Sequence, residues 1–135
     1  GCSNYRYGLY DRFMIKDNHI DACGVITKAI ERVNAYNTAN NLDLEITVEV
    51  RNLNELDEVL HVGQVQRIML DNFELPLLRE AVRAINGQFE TEASGGINIH
   101  TVRKVAKCGV DFISVGALTH SAQSLDISLK VTKDE

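Results

Sequence analysis

The sequence predicts an α/β fold of parallel strand–helix units on three grounds. Apolar strand-like runs alternate with helical patterns, the strand ends recur at a regular interval, and each strand has one apolar and one mixed face. The runs are "RFMIK" (12–16), "LEITVEV" (44–50), "RIML" (67–70), "FETEA" (89–93) and "DFISVG" (111–116). Lys16, Glu49, Asp71, Ser94 and Gly116 close them, at intervals of 33, 22, 23 and 22 residues. The shorter intervals suit a compact βα unit with short loops. Thr47 and Glu49 share one face while Ile46, Val48 and Val50 share the other; Arg67, Met69 and Asp71 oppose Ile68 and Leu70; Met14 and Lys16 oppose Phe13 and Ile15. An apolar face for outer helices and a mixed face ending in polar groups are what barrel strands require. The expected architecture is the larger part of an incomplete TIM-like β/α barrel. An open doubly wound sheet would need apolar central strands and a Gly-rich first turn, and neither is present.

Taken in order, the first strand runs into Lys16, Asp17, Asn18 and His19, expected as a strand-end loop. Residues 24–36 place Val25, Ile26, Ala29, Ile30 and Val33 on one helical face. Residues 52–61 open on "NLNE", with Asn52 as cap and Glu55 three residues later, a variant of the capping box. Leu53, Leu56, Val59 and Leu60 form the apolar face, and Gly63 ends the helix. Residues 75–85 carry Leu77, Leu78, Ala81, Val82 and Ile85, with Pro76 near the start, where its missing N–H does no harm. Residues 98–108 are expected as a helix capped by Asn98, faced by Ile99, Val102, Val105 and Ala106 and stopped by Gly109.

The chain has 135 residues, 44% of them hydrophobic and 24% charged, the profile of one ordinary soluble globular domain. No linker or charge block divides it, so residues 1–135 read as a single domain. No apolar run approaches the roughly 18 to 20 residues of a membrane span, and no signal-peptide pattern is present. Cys2, Cys23 and Cys108 share no metal-ligand spacing, which suits reduced thiols in a cytoplasmic compartment. Fourteen basic against nineteen acidic residues give a net charge of -5, contrary to the basic face of a nucleic-acid binder. The chain opens "GCSNYRYG" without an initiator Met and enters its first strand at Arg12, as a part of something longer would.

Chemistry concentrates at the strand ends. "EASGGIN" (92–98) sets Ser94, Gly95 and Gly96 between a strand and an Asn-capped helical pattern, where backbone N–H groups would meet a phosphate; the plainer alternative is a tight βα turn. "SVGALTHS" (114–121) ends the next strand on Gly116, with Thr119, His120 and Ser121 after it. Two consecutive glycine turns at the last strand ends match the phosphate cradle of such barrels. Glu49 and Asp71, on adjacent strands, would hold Mg²⁺ or sugar hydroxyls, or stabilise a developing cation. The plainer alternative is a pair of solvated acids. Arg6 and Lys16 add positive charge for a carboxylate. His61 and His100 fall on helical patterns and receive no role; His19 and His120 are candidates in strand-end loops. The inventory suits a phosphorylated sugar with a carboxylated partner.

The motifs "RYGLYDRFMIKDNHI", "VEV", "IMLDNF", "EASGGI" and "GALTHSAQSLDISLKV" resemble those of the quinolinate phosphoribosyltransferases, in the family's order and spacing, from Gly1 to Val131. The resemblance implies a pentosyltransferase of NAD biosynthesis. Phosphoribosyl pyrophosphate and quinolinate would give nicotinate mononucleotide, pyrophosphate and CO₂, with Mg²⁺. It implies that Arg6 and Lys16 hold the quinolinate carboxylates and that Glu49 and Asp71 lie near the ribose and metal. Ser94, Gly95, Gly96 and Gly116 would take the 5′-phosphate, with His120 beside them. It also implies a homodimer or higher homo-oligomer, with no nucleic-acid or membrane partner. A ModD-type pyrophosphorylase-like protein shares much of this pattern, and a non-catalytic barrel fragment is the alternative of another class.

Two features depart from the family. Its N-terminal α/β domain and first barrel strands have no counterpart in this sequence. Five strands would therefore leave two open edges and uncovered inward residues, including Met14, Met69 and Phe112. Weak phosphate binding, self-association and no turnover are expected of the chain alone. The family reads Asn-His-Arg where this chain has Asn4, Tyr5 and Arg6, so a phenol replaces a substrate-holding histidine. Tyr5→His is expected to preserve or raise quinolinate affinity in the full-length protein, because a doubly donating ring suits a dicarboxylate better than a phenol. A clear loss in titration calorimetry would mean that the pocket is built around Tyr5.

Overall fold

The structure is a computed structural model that describes residues 2, 3, 6, 8 and 10–119. It holds one five-stranded parallel sheet: β1 (Phe13–Ile15), β2 (Ile46–Val50), β3 (Arg67–Asp71), β4 (Glu90–Ser94) and β5 (Phe112–Ile113). Between them lie α1 (Asp17–Cys23), α2 (Ile26–Ala39), α3 (Leu53–Val62), α4 (Leu75–Ile85) and α5 (Val102–Ala106). The strands lie side by side in sequence order, β1-β2-β3-β4-β5. A doubly wound sheet reverses its order at a switch point, and there is none among the described strands. The chain forms part of a TIM-like barrel, as expected, with β1 and β5 at the edges of the described sheet.

The period-two pattern sorts as predicted. Ile46, Val48 and Val50 of β2 and Ile68 and Leu70 of β3 are fully buried toward the helices, as is Ile15 of β1. They meet Ile26, Ala29 and Ile30 of α2, Leu56 and Val59 of α3, and Leu78, Ala81 and Ile85 of α4 in one core. The Asn52 side chain accepts a hydrogen bond from the Glu55 N–H at 2.9 Å, as the capping pattern requires. Pro76 sits in the first turn of α4, where no helical N–H bond is lost.

Several expectations need correction. Residues 17–19 form not a loop but the first turn of α1, which extends to Cys23. The helix expected over 24–36 runs from Ile26 to Ala39, with Val25 exposed at its cap. Leu77 is exposed, because the buried stripe of α4 runs through Leu78, Ala81 and Ile85, a full helical step away. The helix expected from Asn98 begins only at Val102. The Asn98 side chain accepts from the His100 N–H, and the Thr101 hydroxyl accepts from the Asn98 N–H, both at 2.9 Å. These local bonds hold residues 98–101 in a turn, the usual way Asn and Thr compete with helix. His100 therefore lies off the helix, and Ile99 is 81% exposed.

The inward face is not the bare apolar seam expected. Met69 is buried, and Met14 and Phe112 are half-buried. The parallel register puts Arg67 beside Glu90 and Met69 beside Glu92. The Arg67 guanidinium donates to Glu90 at 2.8 and 3.0 Å and to Glu92 at 3.1 Å, and it lies 3.9 Å over the Phe112 ring. Glu92 also accepts from the Ser114 hydroxyl, which ties β5 to β4. A buried pair of this kind adds little net stability when intact, but removing one partner strands the other charge. Arg67→Met is expected to destabilise the protein by about 3 to 5 kcal/mol in urea unfolding, with Glu92→Gln in the same chain recovering most of that loss. Independent, additive losses would mean that Arg67 and Glu92 do not act as a unit.

Candidate active site

The C-terminal ends of β1, β2, β3 and β4 converge on one rim. Lys16 follows β1 directly and is exposed, with its backbone extended as the cap of α1. His19 fixes it there: its Nδ1 accepts the Lys16 N–H at 3.0 Å, and its own N–H donates to the Lys16 carbonyl at 2.9 Å. His19 is thus a pin for the backbone that carries Lys16, from a helix rather than the expected loop.

Glu49 is the inward-facing residue one step before the end of β2, and it is half-buried. Burial pushes its pKa above the ordinary value, and the charge of Asp71 pushes the same way. Lys16 opposes them, the Asp17 carboxylate adds to them, and the Asp17 N–H donates to Glu49 and stabilises the ionised form. Glu49, Asp71, Lys16 and Asp17 therefore form one electrostatic cluster, in which the negative groups outnumber the cation. Such a cluster is disposed to receive positive charge.

Arg51 is a supporting residue outside this cluster that the sequence reading missed. It follows β2, donates to Glu55 at 2.6 and 2.9 Å, and reaches Asp21 of α1 at 3.6 Å. It thereby ties α1 to α3, steadying the element that presents Lys16 and the Asp17 N–H. The Arg51–Glu55 spacing of four residues was a visible signal; the partner on α1 was not.

Asp71 and Ser94 are direct cross-strand partners at the ends of β3 and β4. Gly95 and Gly96 follow with φ of +88° and +60°, left-handed values that side chains disfavour. At Gly95 a Cβ would also lie 2.9 Å from the Asn72 backbone N, so the loop has no room for one. The turn over 98–101 separates this loop from α5, so it is not seated on the helix N-terminus that the sequence suggested. Gly116 opens a short 3₁₀ turn to Leu118 beyond β5, the neighbour of β4, so the two glycine turns rise side by side. Arg6 is half-buried in the segment before β1. Tyr5 and His120 lie outside the described residues.

Among the described residues no group of three or more His, Cys, Asp or Glu side chains is arranged to hold a metal ion. Two carboxylates that repel one another do fit Mg²⁺, which commonly takes one or two protein carboxylates and completes its shell with water and substrate phosphates. Glu49 and Asp71 are the residues that would hold it.

Residues 1–130 match the family described as quinolinate phosphoribosyl transferase, C-terminal domain. The chain belongs to that family. It is 48% identical to a carboxylating nicotinate-nucleotide pyrophosphorylase, chloroplastic, of Arabidopsis thaliana, over 97% of this chain and 42% of the relative. It is 42% identical to a probable carboxylating nicotinate-nucleotide pyrophosphorylase of Bacillus subtilis, over 98% of this chain and 44% of the relative. The solved nicotinate-nucleotide pyrophosphorylase of Francisella tularensis superposes with a TM-score of 0.80 at 38% identity, covering 96% of this chain and 44% of that one. The chain thus spans less than half the length of these relatives of the quinolinate phosphoribosyltransferase family.

The raised pKa of Glu49 has a thermodynamic consequence. Its ionised form is disfavoured in the fold, so the contribution of Glu49 to stability is greatest below the ordinary value of 4.5 and is lost as pH rises through the raised one. Glu49→Gln is expected to raise the melting temperature near neutral pH, with the gain shrinking as pH falls toward 4.5, in parallel thermal melts. An unchanged or lower melting temperature at neutral pH would show that the contacts of Glu49 with Lys16 and the Asp17 N–H outweigh its burial and the repulsion from Asp71.

Proposed function

We propose that the protein carrying this chain transfers the phosphoribosyl group of phosphoribosyl pyrophosphate to quinolinate, with decarboxylation, giving nicotinate mononucleotide, pyrophosphate and CO₂. The observation that carries this function is the excess of carboxylate over ammonium charge at Glu49, Asp71, Asp17 and Lys16, beside a glycine loop that leaves no room for a side chain. Departure of pyrophosphate leaves positive charge on the anomeric carbon. Fixed carboxylates at that position stabilise this charge more than they stabilise the uncharged anomeric carbon of the ground state.

The roles divide accordingly. Glu49 and Asp71 face the ribose, and they would hold Mg²⁺, which when bound neutralises the pyrophosphate. Ser94, Gly95, Gly96 and Gly116 would receive the 5′-phosphate through backbone N–H groups, with His120 beside them. Lys16 and Arg6, with Tyr5, would bind the quinolinate carboxylates, Lys16 as a point charge and Arg6 as a planar partner. The net charge of -5 argues against a nucleic-acid surface, which carries a basic face. No described helix is long and apolar enough to cross a membrane. The free thiols of Cys2, Cys23 and Cys108 suit a reducing compartment such as the cytoplasm. A homodimer, or a higher homo-oligomer, is the assembly we assign, by the family resemblance. The names of the relatives favour this activity over the ModD-type alternative.

In the full-length protein, Lys16→Ala is expected to weaken quinolinate binding by about 1.5 to 3 kcal/mol, the worth of a hydrogen bond to a charged group, and to leave phosphoribosyl pyrophosphate binding nearly unchanged in titration calorimetry. Equal weakening of both ligands rejects the assignment of Lys16. Asp71→Asn is expected to lower kcat with little change in quinolinate affinity. An unaltered kcat makes Asp71 structural and removes the sugar-side role.

A further inference from the structure

Asn72 follows Asp71 at the mouth. Three features meet in it. Its backbone is left-handed, with φ of +55°, a conformation that only Gly, Asn and Asp adopt readily. Its N–H donates to the Ser94 carbonyl at 2.9 Å, one step beyond the last registered pair of β3 and β4, Asp71 and Ser94. Its side-chain amide donates from Nδ2 to Asp71 Oδ2 at 3.2 Å.

The fourth observation comes from the other side. A Cβ at Gly95 would fall 2.9 Å from the Asn72 backbone N, and closer still to the Asn72 side-chain amide. The side chain of Asn72 thus fills the volume that any residue but glycine would claim at Gly95. Asn72 and Gly95 are a matched pair across the β3–β4 rim. Asn72 is also exposed, so burial does not compel its amide to seek Asp71 as a partner.

We propose that Asn72 is a positioning residue that locks the Asp71 carboxylate and the Ser94–Gly96 loop into one geometry, so that the group at the anomeric centre and the phosphate loop move as a unit. This role rests on the assignment of Asp71 to the sugar side under the proposed function. The residue type follows from the two demands together. Glycine would satisfy the backbone but donates nothing to Asp71. Aspartate would satisfy the backbone but repels Asp71. Asparagine alone among the left-handed formers offers both the conformation and a neutral N–H donor.

The test uses the full-length protein, with phosphoribosyl pyrophosphate, Mg²⁺ and quinolinate as the probes. Asn72→Gly keeps the backbone and removes the amide. It is expected to lower kcat about tenfold, the usual effect of losing a group that orients a functional ligand, with the quinolinate KM within about twofold of the parent and the melting temperature unchanged. Asn72→Asp is expected to lose more than Asn72→Gly. In an Asp71→Asn background, Asn72→Gly is expected to cost nothing further, because its effect passes through the carboxylate. A parental kcat for Asn72→Gly overturns the proposal, and so does an undiminished tenfold loss in the Asp71→Asn background. If Asp71→Asn itself leaves kcat unchanged, the sugar-side assignment fails first, and the two failures are told apart.

Discussion

The parallel pairing of five consecutive strands in sequence order is the constraint on which the rest depends. Parallel strands all end on the same side, so their C-terminal residues must gather on one rim. The register then determines which residues meet there. Glu49 stands beside Met69, and Asp71 beside Ser94, so the two acids are staggered by one inward position on neighbouring strands. That stagger is close enough for Asp71 to raise the pKa of Glu49, and it leaves the carboxylates on separate strands. A slip of one residue in either ladder would turn one acid toward the helices and dissolve the cluster.

The inward face solves its own electrostatic difficulty one layer deeper. Arg67 and Glu92 bring charge into a region where a bare charge would be expensive, and Glu90 meets Arg67 from the solvent side. Mutual hydrogen bonds and the Ser114 hydroxyl account for much of the hydrogen-bonding capacity of the group, and the Phe112 ring covers a face of the guanidinium. The layer above it, with Glu49 and Asp71, is left with excess negative charge. In the lower layer the carboxylates are hydrogen-bonded to a guanidinium and a hydroxyl, whereas at the mouth Glu49 and Asp71 repel one another, and that difference marks where a ligand belongs.

The short helix α1 joins these levels. Its first residue supplies an N–H to Glu49, its third turns a ring back onto the Lys16 N–H, and Asp21 meets Arg51 from the end of β2. A seven-residue helix is marginal by itself. It persists here because its polar groups are used by the rim, so the cation, the acid and the helix hold one another in place.

The sequence by itself determined the alternation of strands and helices, the inner and outer faces, and the strand-end residues Lys16, Glu49, Asp71 and Ser94. Those features are local periodicities of two and about three and a half residues, and a chain that must bury apolar surface obeys them wherever it lies. Only the tertiary structure decided that 17–23 is helical, that 98–101 is a turn, and that Arg67 belongs to Glu90 and Glu92. It alone joined Arg51 to Asp21 and Asn72 to Gly95. In each case the partner sits on another strand or loop, and polar groups choose partners by register and angle, which no periodicity along the chain encodes. "LDN" and "ASGG" were legible as motifs, but the close approach of Asn72 to Gly95 exists only because β3 and β4 end side by side.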